Sequence, residues 1–260
     1  MTWALKRQII YLLILTGFVS LFAFMILYPK LHTIPTCTDG KQNGQEEGVD
    51  CGTGCATVCP FQADVIKVIW TRSFKVVDGR YNAVAYLQNK NTNDAVYRVH
   101  YKFRFADKDN ILINFREGDT YVPAGGNFVV FEPAIDTGNT VPVFTTIEFT
   151  QQPTWIKISP DVLKELSIST SNITLANEKT SPILSVLLKN NSLFQIPGVK
   201  VVAILYDKSG NAINASSTYL DTLDGGAFVP LTFTWPEPIV GDVVAKEVMP
   251  MFDIFSVKFN

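Results

Sequence analysis

The sequence predicts an all-β protein: two tandem β-sandwiches that follow one N-terminal transmembrane helix and a disulfide-rich neck. Three observations carry this. Ile9 to Tyr28 is a run of twenty residues without a charge. All four cysteines lie between Cys37 and Cys59. The remainder is a series of short alternating segments separated by Gly, Asn and Asp turns, and it repeats itself at an offset of 100 residues.

The apolar run comes first. At about 1.5 Å per residue, a helix of this length matches the roughly 30 Å of a bilayer core. Lys6 and Arg7 precede it, so the positive-inside rule keeps residues 1–8 in the cytoplasm and exports everything after Pro29. A cleaved signal peptide would have a shorter apolar core and a small-x-small exit. Here the exit reads Tyr28-Pro29-Lys30-Leu31-His32, which favours an uncleaved anchor over residues 9–28 in the cell membrane.

The neck spans residues 29–62. An even cysteine count in an exported segment argues for disulfides among Cys37, Cys51, Cys55 and Cys59, with three connectivities open. A bond from Cys37 to Cys51, for example, would close a loop worth about 3 kcal/mol in the chain-entropy model. Zinc is disfavoured because C-x13-C-x3-C-x3-C lacks paired C-x2-C knuckles. Calcium is the one candidate ion. Asp39, Asn43, Glu47 and Asp50, with Glu46, put hard oxygens in a glycine-rich loop, although their spacing is not that of an EF-hand. No other cofactor is expected. The segment as a whole resembles short cysteine-rich modules of bacterial surface proteins, which implies location and a stalk-like role.

The repeat pairs Leu87–Val129 with Leu187–Val229 without a gap. Val99, Tyr101, Phe103 and Phe105 alternate with polar residues, and Val199 to Leu205 alternates more loosely. Asp107-Lys108-Asp109-Asn110 and Asp207-Lys208-Ser209-Gly210 read as matching turns. Gly-Gly pairs introduce strands at Phe128–Phe131 and Phe228–Phe233. The units are bounded at residues 63–152 and 160–260, joined by a linker from Gln151 to Pro160. Their opening strands are read at Asp64–Ile69 and Asp161–Leu166, and their closing strands at Thr146–Phe149 and Ser256–Phe259. Ser159-Pro160-Asp161 taken alone reads as a helix start, but the repeat argues for a strand there. About 90–100 residues of short strands suit an immunoglobulin-like sandwich, and without a cysteine pair inside either unit each is held by apolar packing.

The stretch Val199-Lys200-Val201-Val202-Ala203-Ile204-Leu205-Tyr206-Asp207 is similar to the FxLYD-type domain of bacterial exported proteins, with Ala203 where that motif has Phe. The first unit keeps Phe103 but has Phe105-Ala106 in place of Leu-Tyr. The resemblance covers about half of each unit. It implies a small sandwich outside the membrane and carries no shared catalytic activity.

No catalytic constellation emerges. His32 follows the anchor and reads as a solvated juxtamembrane residue, and His100 reads as an exposed strand position opposite Lys200 in the repeat. No G-x-S-x-G, H-E-x-x-H or P-loop occurs. A net charge of -2 and a pI near 5.7 give no footprint for nucleic acid. Trp70, Trp155, Trp235, Phe131 and Phe233 could form a carbohydrate or peptide platform, but core positions suit them better. The expectation is therefore a non-enzymatic interaction or scaffolding protein of the cell envelope, partnered by the membrane and by other envelope proteins or a second copy. The alternative is a surface receptor for carbohydrate, peptide or calcium.

Overall fold

The computed structural model describes residues 3–31 and 36–259. It forms two compact units, Met1–Cys55 and Ala56–Asn260. His32 lies outside the described residues.

In the first unit, helix α1 (Trp3–Leu31) exposes large apolar side chains on every side. A helix that is apolar all round suits a lipid surround. Leu5–Tyr28 is long and apolar enough to cross a bilayer. Within it Thr16 Oγ1 donates to Leu12 O at 2.6 Å, so this mid-helix hydroxyl is satisfied without water. In the neck Cys37 pairs with Cys55, and no cysteine is free. The bond joins residues 18 apart, a loop for which the chain-entropy model gives about 3 kcal/mol.

The second unit begins with seven strands: β1 (Lys67–Val77), β2 (Arg80–Asn89), β3 (Asp94–Ala106), β4 (Leu112–Val122), β5 (Gly126–Asp136), β6 (Phe144–Phe149) and β7 (Trp155–Lys157). Helix α2 (Pro160–Glu165) follows. Six strands then repeat the pattern: β8 (Ile168–Ala176), β9 (Ile183–Asn190), β10 (Ile196–Tyr206), β11 (Ala212–Leu223), β12 (Phe228–Thr234) and β13 (Ala245–Met251). The first sandwich has sheets ordered β1-β2-β5 and β4-β3-β6, and the second has β8-β9-β12 and β11-β10-β13. The two orders are equivalent strand for strand, and each pair of sheets encloses an apolar core.

Matching turns follow from matching residues. Asp107 Oδ1 accepts from the backbone N–H of Asp109 and Ile111, and Asp207 Oδ1 from Ser209 and Asn211. Asn110 and Gly210 take positive φ at the equivalent place, which these residue types tolerate best. A buried asparagine closes each sandwich. Asn89 donates to the carbonyls of Asp94 and Pro123, and Asn190 to those of Phe194, Leu223 and Asp224.

These asparagines correct the ungapped alignment. Asn89 corresponds to Asn190, and Gly125, whose N–H donates to Asn91 O, corresponds to Gly226, which donates to Ser192 O. The offset is thus 101 on β2/β9 and at the Gly-Gly turn, but 100 along β3/β10.

Three further expectations are corrected. Asp161–Leu166 is not a strand: Pro160–Glu165 is helical, with the Ser159 side chain accepting from Asp161 N. Local capping chemistry prevails because this segment pairs with no neighbouring strand. The closing strand of the second sandwich is β13, paired to β10, whereas Ile254–Ser256 is a 3-10 turn. The expected linker contains β7, which pairs Trp155 with Val96, and the Thr57–Ile156 bridge starts the folded body at Ala56 rather than Ala63.

The sandwiches share a seam. Val84, Val202 and Ile204 point away from their own sandwich interiors, yet each is 0% exposed. They join Ala212, Ala215 and Met251 in the cluster that fills the first sandwich. Burial of a Val or Ile side chain contributes about 1.5–3 kcal/mol. Polar ties flank them. Arg72 Nη1 donates to Ala212 O at 2.7 Å, and Lys200 Nζ donates to Phe131 O at 2.7 Å. The loose alternation of Val199–Leu205 now has its cause: both faces of β10 are buried.

Candidate functional site

The seam covers the outer faces of β1-β2-β5 and β11-β10-β13. The outer face of β4-β3-β6 stays open. Because side chains alternate along a strand, burial of Phe103 and Phe105 in the core turns Lys102, Arg104 and Ala106 outward. Register then places Leu112 on one side of Ala106 and Phe144 on the other. Phe115 lies next along β4, opposite Arg104. Val143 N donates to Ala106 O at 2.9 Å, which pins the loop carrying Val141 and Val143 beside this row. Ile111, Val141 and Val143 are 63%, 62% and 56% exposed, and Phe144 is 49% exposed. The result is one contiguous apolar end on an open sheet face.

The same face becomes charged further along β3. Lys102 Nζ lies 2.7 Å from Glu117 Oε1 and 4.2 Å from the Phe115 ring centroid. His100 Nδ1 lies 3.1 Å from Asp119 Oδ1, and Arg98 bonds the other Asp119 oxygen. Arg98 above all, then His100, holds the Asp119 carboxyl below the usual carboxylate range. Lys102 does the same for Glu117. Lys102 is matched by Glu117, and Asp119 serves both Arg98 and His100, so the charged end is satisfied and the apolar end is not. The outer face of β8-β9-β12 carries small hydroxyls at Thr174, Ser185 and Thr232, with the exposed Phe228 and Ile183 apart at its two ends.

Behind the face, Tyr101 donates to Glu132 on β5, and Arg116 Nε lies 3.9 Å from the other Glu132 oxygen. Burial, then the Glu132 bond, raises the Tyr101 phenol well above its ordinary value. A Cβ at Gly118 would come within 2.6 Å of the Tyr101 hydroxyl, so β4 needs glycine there.

The neck carboxylates are engaged separately. Asp50 accepts from the N–H groups of Asp39 and Gly40. Asp39 accepts from Lys41 N and from the Asn43 amide. Glu46 accepts from Asn43 N, and Glu47 from the Thr53 hydroxyl. Among the described residues the one acid-and-sulfur group with atoms within 4.8 Å is Cys37, Glu46 and Cys55, whose two sulfurs are bonded to each other. Asp39, Glu47 and Asp50 thus accept hydrogen bonds inside the loop, whereas the Asn43 Oδ1 is buried without a hydrogen-bond partner.

The aromatic platform does not form. Trp155 and Trp235 are 4% and 6% exposed, Phe131 and Phe233 are buried, and Trp70 stacks on Tyr86 at 5.4 Å. Trp235 Nε1 donates to Asn214 Oδ1, which satisfies its polar end. His100 is on the outer face, as alternation indicates, but with Asp119 beside it. Sequence reasoning missed the apolar row. Its signal was Ile111-Leu112 just past a turn and Val141-Pro142-Val143-Phe144 before a strand, positions where polar residues are usual.

No family model and no curated protein matches the chain. Among solved structures, the crystal structure of red sea bream transglutaminase aligns over 72% of this chain and 31% of that one, at 12% identity and a TM-score of 0.23. The chain thus spans about a third of that protein's length.

Proposed function

We propose that this chain is a membrane-anchored, extracytoplasmic, non-enzymatic interaction or scaffolding protein of the cell envelope. Its N-terminus is cytoplasmic and α1 is its anchor. The observation that supports this reading is the exposed apolar row around Leu112, Phe115 and Phe144 on the open β4-β3-β6 face. Contiguous exposed apolar surface rimmed by charge marks protein contact surfaces. The disulfide-bonded neck supports the exported side, since such bonds persist outside reducing compartments. The resemblances to FxLYD-type domains and to cysteine-rich surface modules agree with a bacterial envelope location.

A photo-crosslinking residue at Phe144, in the full chain in intact cells, tests the proposal. The expected product is a discrete adduct with another envelope protein or a second copy. Phe115→Ser with Leu112→Ser should abolish it without lowering the melting temperature. Recovery of monomer alone would count decisively against the reading.

A further inference from the structure

A second concave feature lies where α2, β13 and the turn after it meet the loop between β4 and β5. It is a groove of about 610 Å³, inside the roughly 300–1,000 Å³ range of small-molecule sites. Leu163, Ile168, Met249, Met251, Phe252 and Ile254 are among the large apolar residues of its wall. No ionisable side chain lines it, and its polar side chains are Thr92 and Asn127. The wall is aliphatic and thioether in the main, without the flat aromatic pair that stacks a sugar or a base. Met251 is fixed, since its Sδ accepts from Val129 N at 3.2 Å, while Met249 and Leu163 are only partly buried. Helix α2 buries none of its residues, so its side of the groove is partly open to solvent.

We infer that this groove binds one neutral aliphatic chain, with an uncharged head such as a glyceryl ester lying at Thr92 and Asn127. The absence of any cation in the wall decides the head. Thr92 and Asn127 are exposed, so the head lies at the mouth, where a hydroxyl and an amide can bond a glyceryl ester but offer a carboxylate no cationic partner. Aliphatic burial contributes about 0.8 kcal/mol per methylene, so chain length sets affinity. The inference holds whether or not the open sheet face binds a partner.

The test uses the full chain in lipid nanodiscs and a C12 monoacylglycerol carrying a diazirine. Photolabelling is mapped by mass spectrometry, with α1 as the internal control for bilayer contact. Saturable label is expected on α2 and β13. Excess unlabelled monoacylglycerol should remove it, and laurate at pH 8 should compete at least about tenfold less well. Leu163→Glu should cut this label about tenfold, leave α1 labelling and the melting temperature unchanged, and Leu163→Met should restore it. Should Leu163→Glu fail to fold, Leu163→Gln serves the same comparison. Label absent from α2 and β13, equal competition by laurate, or indifference to Leu163→Glu would each overturn the inference.

Discussion

Tyr86 on β2 donates its hydroxyl to Glu247 on β13 at 2.9 Å, so a carboxylate of the second sandwich holds a phenol of the first. The other Glu247 oxygen accepts from Tyr206 at 2.7 Å. Glu247→Ala leaves both hydroxyls without this partner. The expected loss is about 1–2 kcal/mol, toward the low side for charge-assisted bonds because the site is half exposed. Chemical denaturation of Glu247→Ala, Tyr86→Phe and the double variant measures it. Strict additivity would show that the pair does not couple the sandwiches.

The seam makes the sandwiches mutually dependent. Ile204→Ala is expected to cost about 2–5 kcal/mol, as for a core residue, although Ile204 points away from its own sandwich interior. Denaturation should remain a single transition. A chain stopped after Lys157 exposes Val84, Val129 and their neighbours, and is expected to bind a hydrophobic dye and aggregate. A monomeric, dye-silent fragment would refute the seam.

Asn190 satisfies three carbonyls and accepts from Ser192. Asn190→Ala strands them in the interior and is expected to cost about 3 kcal/mol. Asn89→Ala should behave alike, and a melting-temperature shift for one but not the other would break the equivalence.

Burial raises the pKa of Tyr86, Tyr101 and Tyr206, helped by Glu247 or Glu132. A phenol whose folded pKa exceeds its unfolded value holds its proton after the unfolded chain has lost it. Its contribution is complete below the unfolded value of about 10 and is lost as pH rises beyond that. Stability should therefore fall above about pH 10, with phenolate absorbance appearing together with unfolding. Phenolate formation in the folded state near pH 10 would contradict this.

The carboxylates of Asp39, Glu47 and Asp50 already accept hydrogen bonds within the neck, and of the four candidates Asn43 Oδ1 alone is left over. Calcium is accordingly expected to leave the melting curve of the full chain unchanged, and a calcium-dependent rise would restore Asp39, Asn43, Glu47 and Asp50 as ligands.

How much was legible in the sequence follows from where the physics is local. The anchor, the Asp107 and Asp207 turns and the core face of β3 depend on nearest neighbours and periodicity, and they could be read. Helix α2 was also written locally, in Ser159-Pro160-Asp161, and trust in the repeat hid it. The one-residue change of offset that pairs Asn89 with Asn190 could not be seen, because an ungapped match of Gly125 with Gly225 has the same composition as the true one. The seam was half legible: Val201-Val202-Ala203-Ile204-Leu205 is too uniformly apolar for a strand with one wet face. What covers its second face is a long-range fact. The apolar row on β4-β3-β6 needs strand register to bring Leu112, Ala106 and Phe144 side by side, and register is not a local property.

Strand β10 belongs to two interiors at once, and this sets a rule for variation along it. Val199, Val201, Ala203 and Leu205 answer to the second sandwich, whereas Val202 and Ile204 answer to the neighbouring domain. Odd and even positions are thus under separate selection. A library of substitutions along this strand would split by parity, with even-numbered losses rescued by changes near Val84 and odd-numbered losses rescued only from within the second sandwich. The two sandwiches cannot be exchanged between proteins as independent modules without carrying that parity along.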